Sequence, residues 1–124
     1  MKPGPMLAQW ILRIACAGIF AGHGVLALRT NESWLAFFPV VGISESSGRT
    51  LMPMVGVLDV FLAILVLVHP VRIALVWMTA WAFWTALLRP LSGQSILELV
   101  ERTGNWGAPL ALLLLMGARR RPPS

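Results

Sequence analysis

Residues 89–109, RPLSGQSILELVERTGNWGAP, hold the densest polar chemistry of the chain: Arg89, Glu98, Glu101, Arg102 and Asn105 lie between two strongly apolar segments. Glu98 and Glu101 are two of only five acids in 124 residues. Ser95 and Glu98 have the Ser-x-x-Glu spacing of a capping box, in which each side chain satisfies the other's free backbone N–H, so a helix is predicted from Ile96. On it Glu98 and Arg102 stand four apart, acid before base, and Asn105 follows on the same face. Such a stripe is either a solvated helix end with one ion pair of about 0.3–0.5 kcal/mol or part of a polar pocket. The frame around it decides which.

That frame is apolar. The chain is 57% hydrophobic and 12% charged, with a mean hydropathy of +0.77, whereas a soluble domain carries roughly 25% charged residues. The composition defines an all-α integral membrane protein, a single domain over residues 1–124. At about 20 residues per span there is room for about four helices. The net charge of +5 does not point to nucleic acid, because the bases are scattered or flank apolar runs, where they act as topology signals. One cysteine, Cys16, excludes an internal disulfide and any Cys-x-x-Cys metal or redox motif. It reads as a small core residue. No residue set has metal-ligand spacing.

The first span covers residues 6–28. Ala15-Cys16-Ala17 mimics a signal or lipoprotein cleavage site, but Arg13 interrupts the apolar region, so the span is read as retained. Arg13 lies near its start and can snorkel to the headgroups. Gly18 and Gly22 form a Gly-x-x-x-Gly face for close helix approach. His23 lies deeper, between glycines, and an ionisable group there is a functional candidate. In the first loop, Trp34 to Pro39 is too short to span and too aromatic for bulk water, which predicts a short interfacial segment.

The second span, residues 51–68, carries Asp59 on the same face as Gly56 and Ala63, where neighbouring helices pack. A carboxyl there must find a donor or stay protonated. His23 and Arg13 are the partners within the sequence's reach. The third span, residues 71–88, follows the break at His69-Pro70 and carries a stripe of Trp77, Trp81 and Trp84, read as packing or lipid-facing surface. Pro90 is expected to end it at Arg89. Residues 108–118 are apolar but short, so the fourth span is drawn over residues 96–118 with a kink at residues 104–109. That placement pulls Glu98, Arg102 and Asn105 inward, with Trp106 as a wall.

Four spans put Lys2, Arg13, Arg72, Arg119, Arg120 and Arg121 on one side with no acid. By the positive-inside rule both termini are cytoplasmic, in a chain read as a plasma (inner) membrane protein. His23 and the polar cluster then face outward, with Asp59 at mid-depth.

An Arg-bearing first span ending Gly22-His23-Gly24, a loop with Phe38-Pro39-x-x-Gly42-Ile43, then Gly56-Val-Leu-Asp59-Val-Phe-Leu-Ala-Ile-Leu-Val-Leu and Gly104-Asn-Trp-Gly-Ala-Pro-Leu-Ala-Leu-Leu resemble the DoxX-like family of small four-helix membrane proteins. Asp59 stands where that family commonly has Glu. The resemblance implies a non-catalytic subunit or a binding or assembly partner, working with other membrane-protein subunits or as a homo-oligomer. It also implies one alternative, a quinone-linked oxidoreductase subunit, and the carboxyl of Asp59 within the second span offers another, a small transporter or proton path. No autonomous catalytic motif and no cofactor site is evident, and a quinone is the cofactor the resemblance allows. The candidate ligand-binding residues are His23, Asp59, Arg89, Glu98, Arg102, Asn105 and Trp106.

Overall fold

A computed structural model describes residues 3–120, with side chains for residues 4–117. The anchoring expected of Lys2 and of the Arg119, Arg120 and Arg121 side chains lies outside the described residues. Every described element is helical: α1 (Pro3–Leu28), two 3₁₀ turns (Glu32–Phe37 and Pro39–Val41), α2 (Glu45–Val68), α3 (Arg72–Leu91), α4 (Ile96–Glu101) and α5 (Thr103–Arg120). Three helices, Gly4–Leu28, Glu45–Val68 and Arg72–Leu91, are long and apolar enough to cross a membrane. Their outer faces are studded with exposed Ile14, Met54, Val57, Phe61, Ile64, Ile73 and Val76. Contiguous apolar surface of this kind is stable against lipid and not against water. The chain is a helical membrane protein.

Several boundaries differ from those the sequence predicts. Helix α2 begins six residues before position 51, because the Ser44 hydroxyl accepts the Ser47 N–H and caps the serine-rich segment. Helix α3 runs past Arg89 through Pro90 to Leu91. Proline is tolerated there because the Leu88, Arg89 and Pro90 carbonyls take the N–H groups of Ser92, Gly93 and Gln94 instead of further helix turns. The break expected over residues 104–109 falls at Arg102, while Pro109 is fully buried inside α5. The capping box is half made: Ser95 Oγ accepts from Leu97 N, and the Glu98 carboxylate turns away to Arg102.

Helix α1 packs on α2 and on α5, and α3 packs on α5. Around Cys16 the core gathers Phe20, Leu62, Val66, Leu75, Met78, Leu112 and Met116 from all four long helices. The closest approach is not on Gly18 and Gly22, where an added Cβ would meet open space. It is at Gly24 and Gly56, where a Cβ on Gly56 would lie 2.7 Å from the Gly24 carbonyl oxygen and 2.8 Å from the Leu28 nitrogen. Small residues permit backbone contact only on the face that meets a partner, and α1 turns its Gly24 face to α2.

Arg13 is 9% exposed and does not snorkel. Its Nε donates to Val66 O at 3.0 Å, Nη2 donates to Leu67 O, and the guanidinium stacks 3.9 Å from the Trp10 ring centroid. The last turn of α2 has no basic residue of its own. Arg13 therefore supplies, from a neighbouring helix, the donors and the positive charge that a helix C-terminus lacks.

Candidate functional site

Helices α2 and α3 are joined by residues 69–71, yet they pack little on one another, because each is claimed by a different neighbour. A cavity of about 350 Å³ occupies the space they leave. Its walls are Ile19, Phe20, His23 and Ala27 of α1, Met52, Val55 and Asp59 of α2, Trp81, Ala82, Trp84, Thr85, Leu88 and Arg89 of α3, and Asn105 of α5. The aromatic segment of the first loop roofs it with Trp34, Phe37 and Phe38. The expected interfacial segment is thus also part of the site, a role its length and composition could not reveal.

The roof is seated by specific contacts. Gly48 leaves room for the Phe38 ring, which a Cβ would meet at 2.7 Å. Leu35 is fully buried with Ala27 and Met52. On the outside, Arg49 grips Glu32 with two hydrogen bonds of 2.8 Å, tying the first 3₁₀ turn to α2. Those bonds hold the Glu32 carboxyl below the usual carboxylate range. A carboxyl with a depressed folded-state pKa contributes above its unfolded value, about 4.3, and its contribution is lost as pH falls through the folded value. Amide protection over residues 32–41, taken relative to the intrinsic exchange rate at each pH, is expected to fall below about pH 4, and Glu32→Gln is expected to show the reduced protection already at pH 7. Identical exchange in both proteins across that range would dismiss the strap.

Within the cavity, His23 stacks on Trp34 with ring centroids 5.7 Å apart, and its Nδ1 lies 2.7 Å from Ile19 O. A carbonyl can only accept, so Nδ1 carries a proton, and in the neutral ring Nε2 is left as an acceptor. Asp59 is 4% exposed and its Oδ1 has no hydrogen-bond partner among the described residues. It points into the bundle as expected, but neither His23 nor Arg13 reaches it. Arg89 is 6% exposed, and its Nε also lacks a partner. Its guanidinium carbon lies 4.4 Å from the Phe37 ring centroid and 5.8 Å from that of Trp34.

The polar cluster predicted around Glu98 does not assemble. Glu98 and Arg102 pair with each other at 2.6 Å, half exposed on α4 and its turn, with no partner from another helix. Neither lines the cavity, and no hydrogen bond or ion pair joins Arg89 to Glu98 among the described residues. Ile96, Leu97 and Val100 are exposed, so α4 lies against the surroundings with its apolar side outward and cannot turn Glu98 inward. Glu101 is exposed. Trp106 is not a wall either; it meets Phe83 edge-on at 5.8 Å and packs on the core. Of the candidate residues, His23, Asp59, Arg89 and Asn105 come together. Trp81 and Trp84 join them, where the sequence favours packing or lipid contact over a ligand platform.

The site is therefore apolar and aromatic, with ionisable groups left unpaired among the described residues, and not the polar pocket expected. An unpaired buried polar atom costs about 1–3 kcal/mol. Asp59 and Arg89 are placed where a bound molecule can relieve that cost, and the fold and site together define a membrane-embedded helical cavity protein. Comparison with family models, curated proteins and solved structures returned no match for this chain.

Proposed function

We propose that this is a four-span, DoxX-like protein of the plasma membrane, with both termini cytoplasmic, acting as a non-catalytic subunit or binding partner that holds a small molecule in the cavity. Helix α5 is the fourth span, with α4 lying in the interface beside it. The observation that carries the reading is the pair of orphaned buried atoms, Asp59 Oδ1 and Arg89 Nε, on one cavity. A protein kept only for scaffolding gains nothing from them, because replacing an unsatisfied buried group by an apolar one is neutral or stabilising.

That argument gives its own test. Asp59→Leu is expected to raise the stability of the detergent-solubilised protein by about 1–2 kcal/mol while removing ligand binding, and Asp59→Asn is expected to change stability by less than about 0.5 kcal/mol. Thermal unfolding of the three proteins measures it. A clear loss of stability in Asp59→Leu would assign the carboxyl to a structural clamp.

A quinone-linked oxidoreductase subunit is the second reading, favoured by the flat walls of Trp81 and Trp84 beside the His23 imidazole. There His23 Nε2 and Asp59 would exchange protons with the head group. Solvent extraction of the purified protein that yields stoichiometric quinone selects it over the first.

A further inference from the structure

The geometry points to an elongated hydroxy acid as the cavity's ligand, its carboxylate outermost against Arg89 and its hydroxyl deepest against Asp59. The inference rests on the small-molecule reading above and adds the chemical class. Arg89 is a buried cation that forms no ion pair among the described residues: Glu32 is taken by Arg49, Glu98, within electrostatic reach, by Arg102, Glu45 and Glu101 are exposed, and Asp59 on the same cavity makes no salt bridge with it. Its contacts with Phe37 and Trp34 are ring contacts, which leave the guanidinium's N–H groups to donate. Nε and a terminal nitrogen together form the planar fork that matches the two oxygens of a carboxylate.

Asp59 asks for the opposite chemistry. Its Oδ1 needs a donor, and a hydroxyl supplies one without bringing a further charge into an apolar site. The two ends are set apart by helix geometry. Asp59 is seven residues beyond Met52, which packs beneath the roof against Leu35, so at about 1.5 Å per residue it lies about 10 Å deeper. The surfaces between are mainly apolar, among them Phe20, Val55, Trp81 and Leu88, with His23, Thr85 and Asn105 as the other polar residues of the lining. An apolar body about 10 Å long with an acid at one end and a hydroxyl at the other fits these constraints, and 350 Å³ is at the small end of ligand pockets.

Such a molecule reaches the site either as an aliphatic chain from the bilayer or as a flat phenolic acid from the water. The test measures tryptophan fluorescence of nanodisc-embedded protein with two probes: octanoate hydroxylated on its terminal carbon, and para-hydroxycinnamate. Octanoate and cinnamate, which lack the hydroxyl, and octanediol with terminal hydroxyls and the diol para-hydroxycinnamyl alcohol, which lack the acid, serve as comparators. At least one hydroxy acid is expected to bind about tenfold or more tightly than the comparators lacking either group, a difference of about 1.4 kcal/mol. The preferred probe names the source. Arg89→Leu is expected to erase the preference over the diol, and Asp59→Leu the preference over the simple acid. Hydroxy acids that bind wild type no better than their comparators would overturn the assignment without recourse to any variant. Native mass spectrometry separates this failure from that of the parent reading. A co-purifying small molecule without an acid group, present in wild type and absent from the cavity-filling Ala82→Trp, sinks the hydroxy acid and keeps the binding protein. No co-purifying molecule and no bound probe sinks both.

Discussion

Gly56→Leu is expected to destabilise the detergent-solubilised protein by about 3 kcal/mol or more, at or above the upper end of the usual cost of overpacking. The reason is what the new side chain would strike. A Cβ at this position meets the Gly24 carbonyl oxygen at 2.7 Å and the Leu28 nitrogen at 2.8 Å. Both are backbone atoms of α1, which cannot swing away as a side chain does, so the two helices must separate. That separation opens the core around Cys16 and displaces Met52 and Asp59 from the cavity wall. Gly22→Leu is the matched control, because nothing lies within 4 Å of its Cβ position, and it is expected to cost less than about 1 kcal/mol. Thermal or denaturant unfolding followed by circular dichroism checks the pair. Equal melting of the two variants would place the helix crossing elsewhere.

Arg13→Ala is expected to cost about 3 kcal/mol by the same measurement. Removing the guanidinium leaves the Val66 and Leu67 carbonyls without their donors, at about 1–3 kcal/mol each for a buried group. It also strips the α2 C-terminus of the positive charge beside it and uncovers Trp10. Arg13→Lys is expected to fall between wild type and alanine, because one ammonium can bond a carbonyl but cannot offer the guanidinium's fixed fork. The loss should also be local. Amide exchange is expected to quicken in the last two turns of α2 while residues 45–55 stay protected. An Arg13→Ala protein that melts with wild type would return Arg13 to the headgroup region.

What the sequence by itself determined is what depends on composition and local periodicity. High hydropathy with sparse charge specified membrane helices, Cys16 was read as core, and Asp59 was turned inward because Gly56 and Ala63 share its face. Helix α4 began at Ile96 from its serine. The aromatic stretch after Trp34 was recognised as a segment apart.

Tertiary structure decided which of these meet. The Glu98, Arg102 and Asn105 stripe assumed one helix running from Ile96 through residue 118. The turn at Arg102 breaks that phase, leaving Glu98 and Arg102 to each other while Asn105, on α5, enters the cavity. Periodicity assigns a face only within an unbroken helix. Likewise a Gly-x-x-x-Gly spacing marks a surface able to be approached, and only the rotation of α1 selects Gly24 over Gly18 and Gly22. The roof of Trp34 and Phe37 over Arg89, and the reach of Arg13 to carbonyls 53 and 54 residues away, join elements far apart in the chain. Their geometry is set by how α1, α2 and α3 share neighbours, and no local spacing encodes that.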